Sequence, residues 1–184
     1  MFVQTEETPN PNTLKFLPGK IVSEVGSFEF TTKDQTENIL IKDILSMKEV
    51  KMVFLGSDFI TIKKNDQILW KEIKPKIISL INNYYLKNNS SILDKNYVKK
   101  NIKNETPSGD EIVNKIISIL DEKIRPAVAR DGGDIKFKSF KDGIVTVELQ
   151  GSCSGCPSST MTLKQGVQNL LCHYVSEVKQ VEAV

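Results

Sequence analysis

The 184-residue sequence is poor in several residue types that announce a location or a partner, with one histidine, three cysteines and arginine only at positions 125 and 130. No apolar run approaches the roughly 18 residues of a membrane span, and the opening stretch, Met1 followed by FVQTEETPNPNT, has neither the basic nor the apolar region of a secretory signal. Membrane insertion and export are therefore not expected, and the scarcity of arginine argues against an Arg-rich transit peptide. Net charge is nearly absent too. Twenty-five Lys and Arg against 23 Asp and Glu leave +2, too weak a field to steer the chain onto nucleic acid or a membrane surface. Three cysteines are an odd number, and two of them stand too close together to staple a small secreted fold. The reading is a reducing compartment with available thiols, a bacterial-type cytoplasm, although a processed organellar form would read similarly.

What is present is enough for a core: 39% of the residues are hydrophobic, and the length fits one medium or two small domains. Composition favours two. The stretch from Leu86 to Gly109 is rich in Asn, Lys and Ser, lacks sustained periodicity and closes with Pro107, so we expect domains at 1–87 and 109–184 joined by a linker at 88–108. In the first, NTLKFLPG reads as a strand stopped by Pro18 and Gly19, and KMVFLG and DFITIKKN read as a hairpin around Gly56, Ser57 and Asp58. Helices are expected near Glu37 to Met47 and from about Lys71 to Leu86, the second with Ile73, Ile77, Leu80, Ile81 and Tyr84 inward. This part holds no Cys, no His and no phosphate-type glycine loop; it reads as a binding or organising module.

The second domain opens with Ser108 and Glu111 spaced as a capping box before Ile112, Val113, Ile116, Ile117, Leu120 and Ile124 at helical spacing. Pro126 is expected to end or kink that helix near Arg125, with Gly132 and Gly133 turning the chain. IKFKSF and IVTVEL alternate across an Asp142-Gly143 turn as a hairpin. A helix follows, with Ser158 or Ser159 as its cap and Leu163, Val167, Leu170, Leu171 and Tyr174 inward, and EVKQVEAV offers a last strand. The fold class is α+β, with α-β-β-α-β order in the second domain.

Between the hairpin and that last helix lies GSCSGCPSST, with Cys153 and Cys156 two residues apart. Glycines permit a tight loop, Pro157 suits a first helical position, and the helix start favours thiolates, the form that binds metal or attacks sulfur. A thiolate site normally takes four ligands. Cys172 would lie roughly 20 Å along the helix at about 1.5 Å per residue, too far to join, and reads as a packed apolar cysteine; His173, equally remote, reads as a surface or boundary residue. A second copy of the chain about a two-fold axis would supply two more thiolates at the same point. Four cysteines suit a [4Fe-4S] cluster or zinc. The pair alone does not choose between them or exclude a redox dithiol, although its position after a hairpin strand, rather than in a βαβ unit, weakens the thioredoxin-like alternative.

RPAVARDGGDI followed by GIVTVELQGSCSGCPSSTMTLKQGVQNLL resembles the C-terminal domain of the NifU-like, or Nfu, family, and QTEETPNPNTLKFLPG with VFLGSDFITIKK resembles that family's N-terminal domain. The likeness covers nearly all of the chain except the linker. It implies an iron-sulfur cluster scaffold or carrier, not an enzyme: a homodimer sharing a [4Fe-4S] cluster through Cys153 and Cys156 of each chain, loaded by an upstream scaffold and passing the cluster to apo client proteins. It implies client recognition or modulation for the N-terminal domain. Asp131, Gly132, Gly133 and Asp134 are a hallmark of the family and read first as a helix stop and turn; Ser176 stands where the family often has proline. A thiol-disulfide oxidoreductase using Cys153 and Cys156 and a structural zinc-bridged dimer are the competing readings.

Overall fold

The computed structural model describes residues 2–88, 90–97, 110–154 and 157–184, the side chains of 157–160 excepted. The chain divides into two compact units, 1–102 and 103–184, and each is described by itself.

The first unit is an antiparallel sheet of β1 (Gln4–Glu7), β2 (Thr13–Leu17), β3 (Phe28–Phe30), β4 (Val50–Leu55) and β5 (Ile60–Lys64) in the order β1-β2-β5-β4-β3. Its core joins alternate strand residues such as Phe16, Val53, Leu55, Ile60 and Ile62 to the apolar stripes of α1 (Ile39–Leu45) and α2 (Trp70–Lys87). On α2 the buried residues are Ile73, Ile77, Ile81 and Tyr85, with Leu80 and Tyr84 half-buried beside them. The strand, hairpin and both helices expected from the sequence are present. The two edge strands, β1 and β3, were not expected: β1 reads QTEE and buries no residue, and the Phe-Glu-Phe alternation of β3 is only three residues long, too short to read as a strand.

The stretch that composition reads as linker does not begin as one. Ile92 and Leu93 are buried in the first core, Leu93 pairs with Ser23 as an isolated parallel bridge, and the Ile92 N–H donates to the Val22 carbonyl at 2.9 Å. The Asn38 side chain, which caps α1 by accepting from the Ile41 N–H, also donates to the Ile92 carbonyl at 3.2 Å. Tyr97 lies edge-on to Phe28 with ring centroids 5.3 Å apart. Two buried apolar residues in a run of Asn, Ser and Lys give no period to read. Residues 89 and 98–108 of the expected linker lie outside the described residues.

In the second unit α3 (Glu111–Ile119) starts at Asp110, whose carboxylate accepts from the Ile112 N–H at 2.9 Å; Ser108, the expected cap, lies outside the described residues. Pro126 does not end the helix. A π-helical turn over Leu120–Ile124, closed by the Arg125 N–H on the Leu120 carbonyl, leads into α4 (Arg125–Arg130). Proline lacks an N–H and its ring collides with the carbonyl four residues back, and the wider turn ahead of it makes room for the path to continue. β6 (Gly133–Lys141) and β7 (Ile144–Gly151) then form the expected hairpin. Asp142 and Gly143 both have positive φ, 54° and 85°, which a two-residue type I′ turn requires and an Asp-Gly pair supplies.

α5 (Pro157–Tyr174) is unbroken and starts at the proline expected for its first position. It carries the chain to β8 (Gln180–Ala183), which pairs with β7 in parallel, so the sheet order is β6-β7-β8 and β7 is central. β7, α5 and β8 therefore form a βαβ unit, contrary to the sequence expectation. The same strand closes a hairpin on one side and opens a crossover on the other. The core gathers Ile116, Leu120, Val128, Ile135, Val145, Val147, Val167 and Leu171 with Val175, Val178 and Val181; Tyr174, expected inward, is exposed, its ring under the Lys123 ammonium at 5.0 Å. Among the described residues no helix is long and apolar enough to cross a membrane.

Candidate metal centre

The end of β7 places Cys153. Gly133 and Gly151 face each other at the open end of the β6–β7 ladder, and beyond Gly151 the chain folds back over that end. The Ser152 N–H donates to the Gly132 carbonyl at 3.2 Å, and the Ser152 hydroxyl donates to the Asp131 carbonyl. Ser154 closes the turn, its N–H and its hydroxyl both reaching the Gly151 carbonyl, at 3.2 and 3.0 Å. Cys153 is thereby drawn inward to 5% exposure and joins the second core, which also holds Leu149 and Val128. Its sulfur lies 3.8 Å from the Ser152 hydroxyl oxygen.

A second set of bonds fixes the turn on which Ser152 rests. Arg125, at the start of α4, donates through Nε to Asp134 Oδ1 at 3.1 Å and to the Ile135 carbonyl at 3.2 Å, and through a terminal nitrogen to Asp121 at 2.9 Å. The guanidinium thus ties the helix end to the first residues of β6. Asp131 and Gly132 are the helix stop and turn that the sequence suggests, with φ of 82° at Gly132, while Gly133 and Asp134 already open β6. They are also the platform under the cysteine loop, which the sequence does not announce. Sequence reasoning missed Ser152 and read Gly133 only as part of the turn, not as a neighbour of Cys153. A signal existed: a helix stop needs one left-handed glycine, and two are present.

Cys156, the second cysteine of the pair, lies outside the described residues, as do the side chains of Ser158 and Ser159. Cys172 is exposed rather than packed: it falls between buried Leu171 and Val175 on the solvent side of α5. It is fifteen residues from the start of an unbroken helix, about 22 Å at 1.5 Å per residue. His173 is exposed beside it. Among the described residues no three His, Cys, Asp or Glu side chains are gathered as a metal site.

The fold and site define a class: a small α+β domain presenting a cysteine loop between a central strand and a crossover helix, preceded by an α+β unit with no cysteine or histidine. A family model described as the NifU-like domain matches residues 116–182, and one described as the N-terminal domain of the scaffold protein Nfu/NifU matches residues 3–88. "NifU-like protein 4, mitochondrial" of Arabidopsis thaliana is 44% identical over 99% of this chain and 65% of its own length. The human "NFU1 iron-sulfur cluster scaffold homolog, mitochondrial" is 43% identical over the whole of this chain and 72% of its own. A solution structure of a NifU-like protein from Saccharomyces cerevisiae is 26% identical, covers 52% of this chain and 86% of its own, and has a TM-score of 0.46. The chain belongs to the Nfu family. It spans about two thirds of the length of the two curated relatives.

Proposed function

We propose that the protein is an iron-sulfur cluster scaffold or carrier that binds a [4Fe-4S] cluster between two copies of the chain and passes it to apo client proteins. Cys153 and Cys156 are its ligands, two from each chain. The observation that carries this reading is the half-set of donors: a cysteine loop framed by backbone hydrogen bonds, Cys172 about 22 Å along α5, and no third ligand gathered among the described residues. A two-fold axis at the loop would complete four thiolates. The donor chemistry fits the cargo, since iron-sulfur clusters are held by cysteine thiolates.

Sharing also accounts for release. With two ligands per chain, incoming client thiolates displace one chain's pair and the halves part; four ligands in one chain would hold the cluster. The function needs no catalytic acid, base or nucleophile, and the named human relative is likewise a scaffold by name. A reducing compartment satisfies the chemistry, whether the cytoplasm expected from the sequence or the mitochondrion named in the relatives. We assign cluster binding to the domain from about residue 109 onward and client recognition or modulation to the N-terminal domain.

Transfer is tested by mixing loaded protein with an apo-enzyme that requires a [4Fe-4S] cluster, under an iron chelator. Activity should appear faster than from equivalent free iron and sulfide; no gain over the free ions contradicts the reading. One observation favours a second reading: β7–α5–β8 is the βαβ setting that a dithiol oxidoreductase uses. Reduction of insulin disulfides by the apoprotein would support it, and none is expected.

A further inference from the structure

Gly133 is not required by its own backbone conformation. The turn after α4 is made by Gly132 at φ 82°, and Gly133 is not among the residues with positive φ. Its missing side chain serves a neighbour. A Cβ at 133 would stand 2.5 Å from the Gln150 carbonyl oxygen, 2.9 Å from Cys153 Sγ and 3.3 Å from the Cys153 nitrogen. These are not the tips of flexible side chains. Two belong to backbone, and the third is a sulfur one torsion from its backbone in a 5%-exposed residue.

We propose that Gly133 is the positioning residue for Cys153: its bare Cα is the seat on which the sulfur rests, with the Ser152 hydroxyl, anchored on the Asp131 carbonyl, flanking it. Such a seat pre-sets Cys153, one ligand of each chain, against the sheet, and pre-set ligands hold metal better. The consequence for a cluster rests on the carrier reading above. The seating of the sulfur does not, and it is read in the apoprotein.

The test uses the full chain in four forms: wild type, Gly133→Ala, Ser152→Ala, and Gly166→Ala, a control glycine with nothing within 4 Å of an added Cβ. In the apoprotein, iodoacetamide modification is resolved by peptide mass spectrometry, with exposed Cys172 as the internal standard. Cys153 should react at least about tenfold more slowly than Cys172 in the wild type and the control, since reaction requires access, and the gap should close in Gly133→Ala. After reconstitution, the half-life of the cluster against an iron chelator should fall about tenfold in Gly133→Ala and less in Ser152→Ala, the range expected when a ligand's support is removed. The Fe–S(Cys) stretching bands in resonance Raman should shift, which general destabilisation would not cause. Far-UV circular dichroism shows whether Gly133→Ala folds; if it does not, Ser152→Ala decides by the same readouts. Wild-type alkylation, half-life and Raman bands in the deciding variant overturn the proposal. A wild type that takes up no cluster overturns the carrier reading instead and leaves the alkylation rates to decide the seat.

Discussion

Leu93 sits in a stretch of Asn, Ser and Lys that composition assigns to a linker, yet it is 1% exposed in the first core. Leu93→Ala should therefore behave as a core truncation. A buried Leu→Ala change costs about 3 kcal/mol, from lost transfer energy and the cavity left behind. With a urea slope of about 1.5 kcal/mol per molar for a unit of this size, the midpoint should fall by about 2 M. The single tryptophan makes the measurement specific. Trp70 lies on the first unit, its ring edge-on to Phe16 at 6.4 Å and its indole N–H on the Pro11 carbonyl at 3.1 Å, so its fluorescence reports that unit's unfolding. Lys95→Ala, an exposed change two residues on, is the control and should move the midpoint by under about 0.3 M. A Leu93→Ala midpoint equal to the control would refute the packing of this segment. A fragment of the first unit that ends at residue 87 should lose stability for the same reason, so fragments used to test its role should run through residue 97.

Cys153→Ser and Cys156→Ser should each abolish cluster uptake in reconstitution, while Cys172→Ser should leave it unchanged, because α5 holds Cys172 about 22 Å from the loop; loss of the cluster in Cys172→Ser would break that argument. Gly143→Ala should lower the thermal midpoint by roughly 4–8 °C, a cost of about 1 kcal/mol, because residue 143 has φ 85° and its Cβ would press on the Lys179 side chain at 2.9 Å. Glu148 gives a pH prediction. Its hydrogen bond from the Lys138 ammonium holds its carboxyl below the ordinary value of 4.5, so the unfolded chain takes up this proton first as pH falls. Its contribution is complete above that ordinary value and is lost as pH falls through the lower folded value. The melting temperature of Glu148→Gln should therefore fall less steeply than that of the wild type across the acid limb, and parallel curves would contradict the assignment.

Where the sequence was legible, a local pattern and its burial agreed. The alternation of Val145, Val147 and Leu149, the Asp-Gly turn and the stripe of Val113, Ile116 and Leu120 each identify an element whose inward face is apolar. Where it was not, the cause lay in pairing or packing that no local pattern encodes. β1 is polar because it is an edge strand with no buried face, and the parallel partner of β7 depends on where α5 returns the chain. Pro126 reads as an end or a kink, and the π turn that lets the path continue through Arg125–Arg130 leaves no mark in composition. At the site, the cysteine pair was the visible half. The Asp131–Gly133 platform was visible only as a turn, since the atoms that need Gly133 bare, the Gln150 carbonyl and Cys153 Sγ, come from seventeen and twenty residues further along the chain.

If two chains complete one site, the stoichiometry of the loaded protein is fixed. The full chain is reconstituted anaerobically with iron and sulfide and passed through gel filtration with light scattering; iron, sulfide and protein are assayed on the peak, and Mössbauer spectra identify the cluster. The expected species has twice the 20.7 kDa chain mass and carries about two iron and two sulfide per chain as [4Fe-4S]. A monomer carrying a complete cluster, or a peak with no cluster at all, would contradict it.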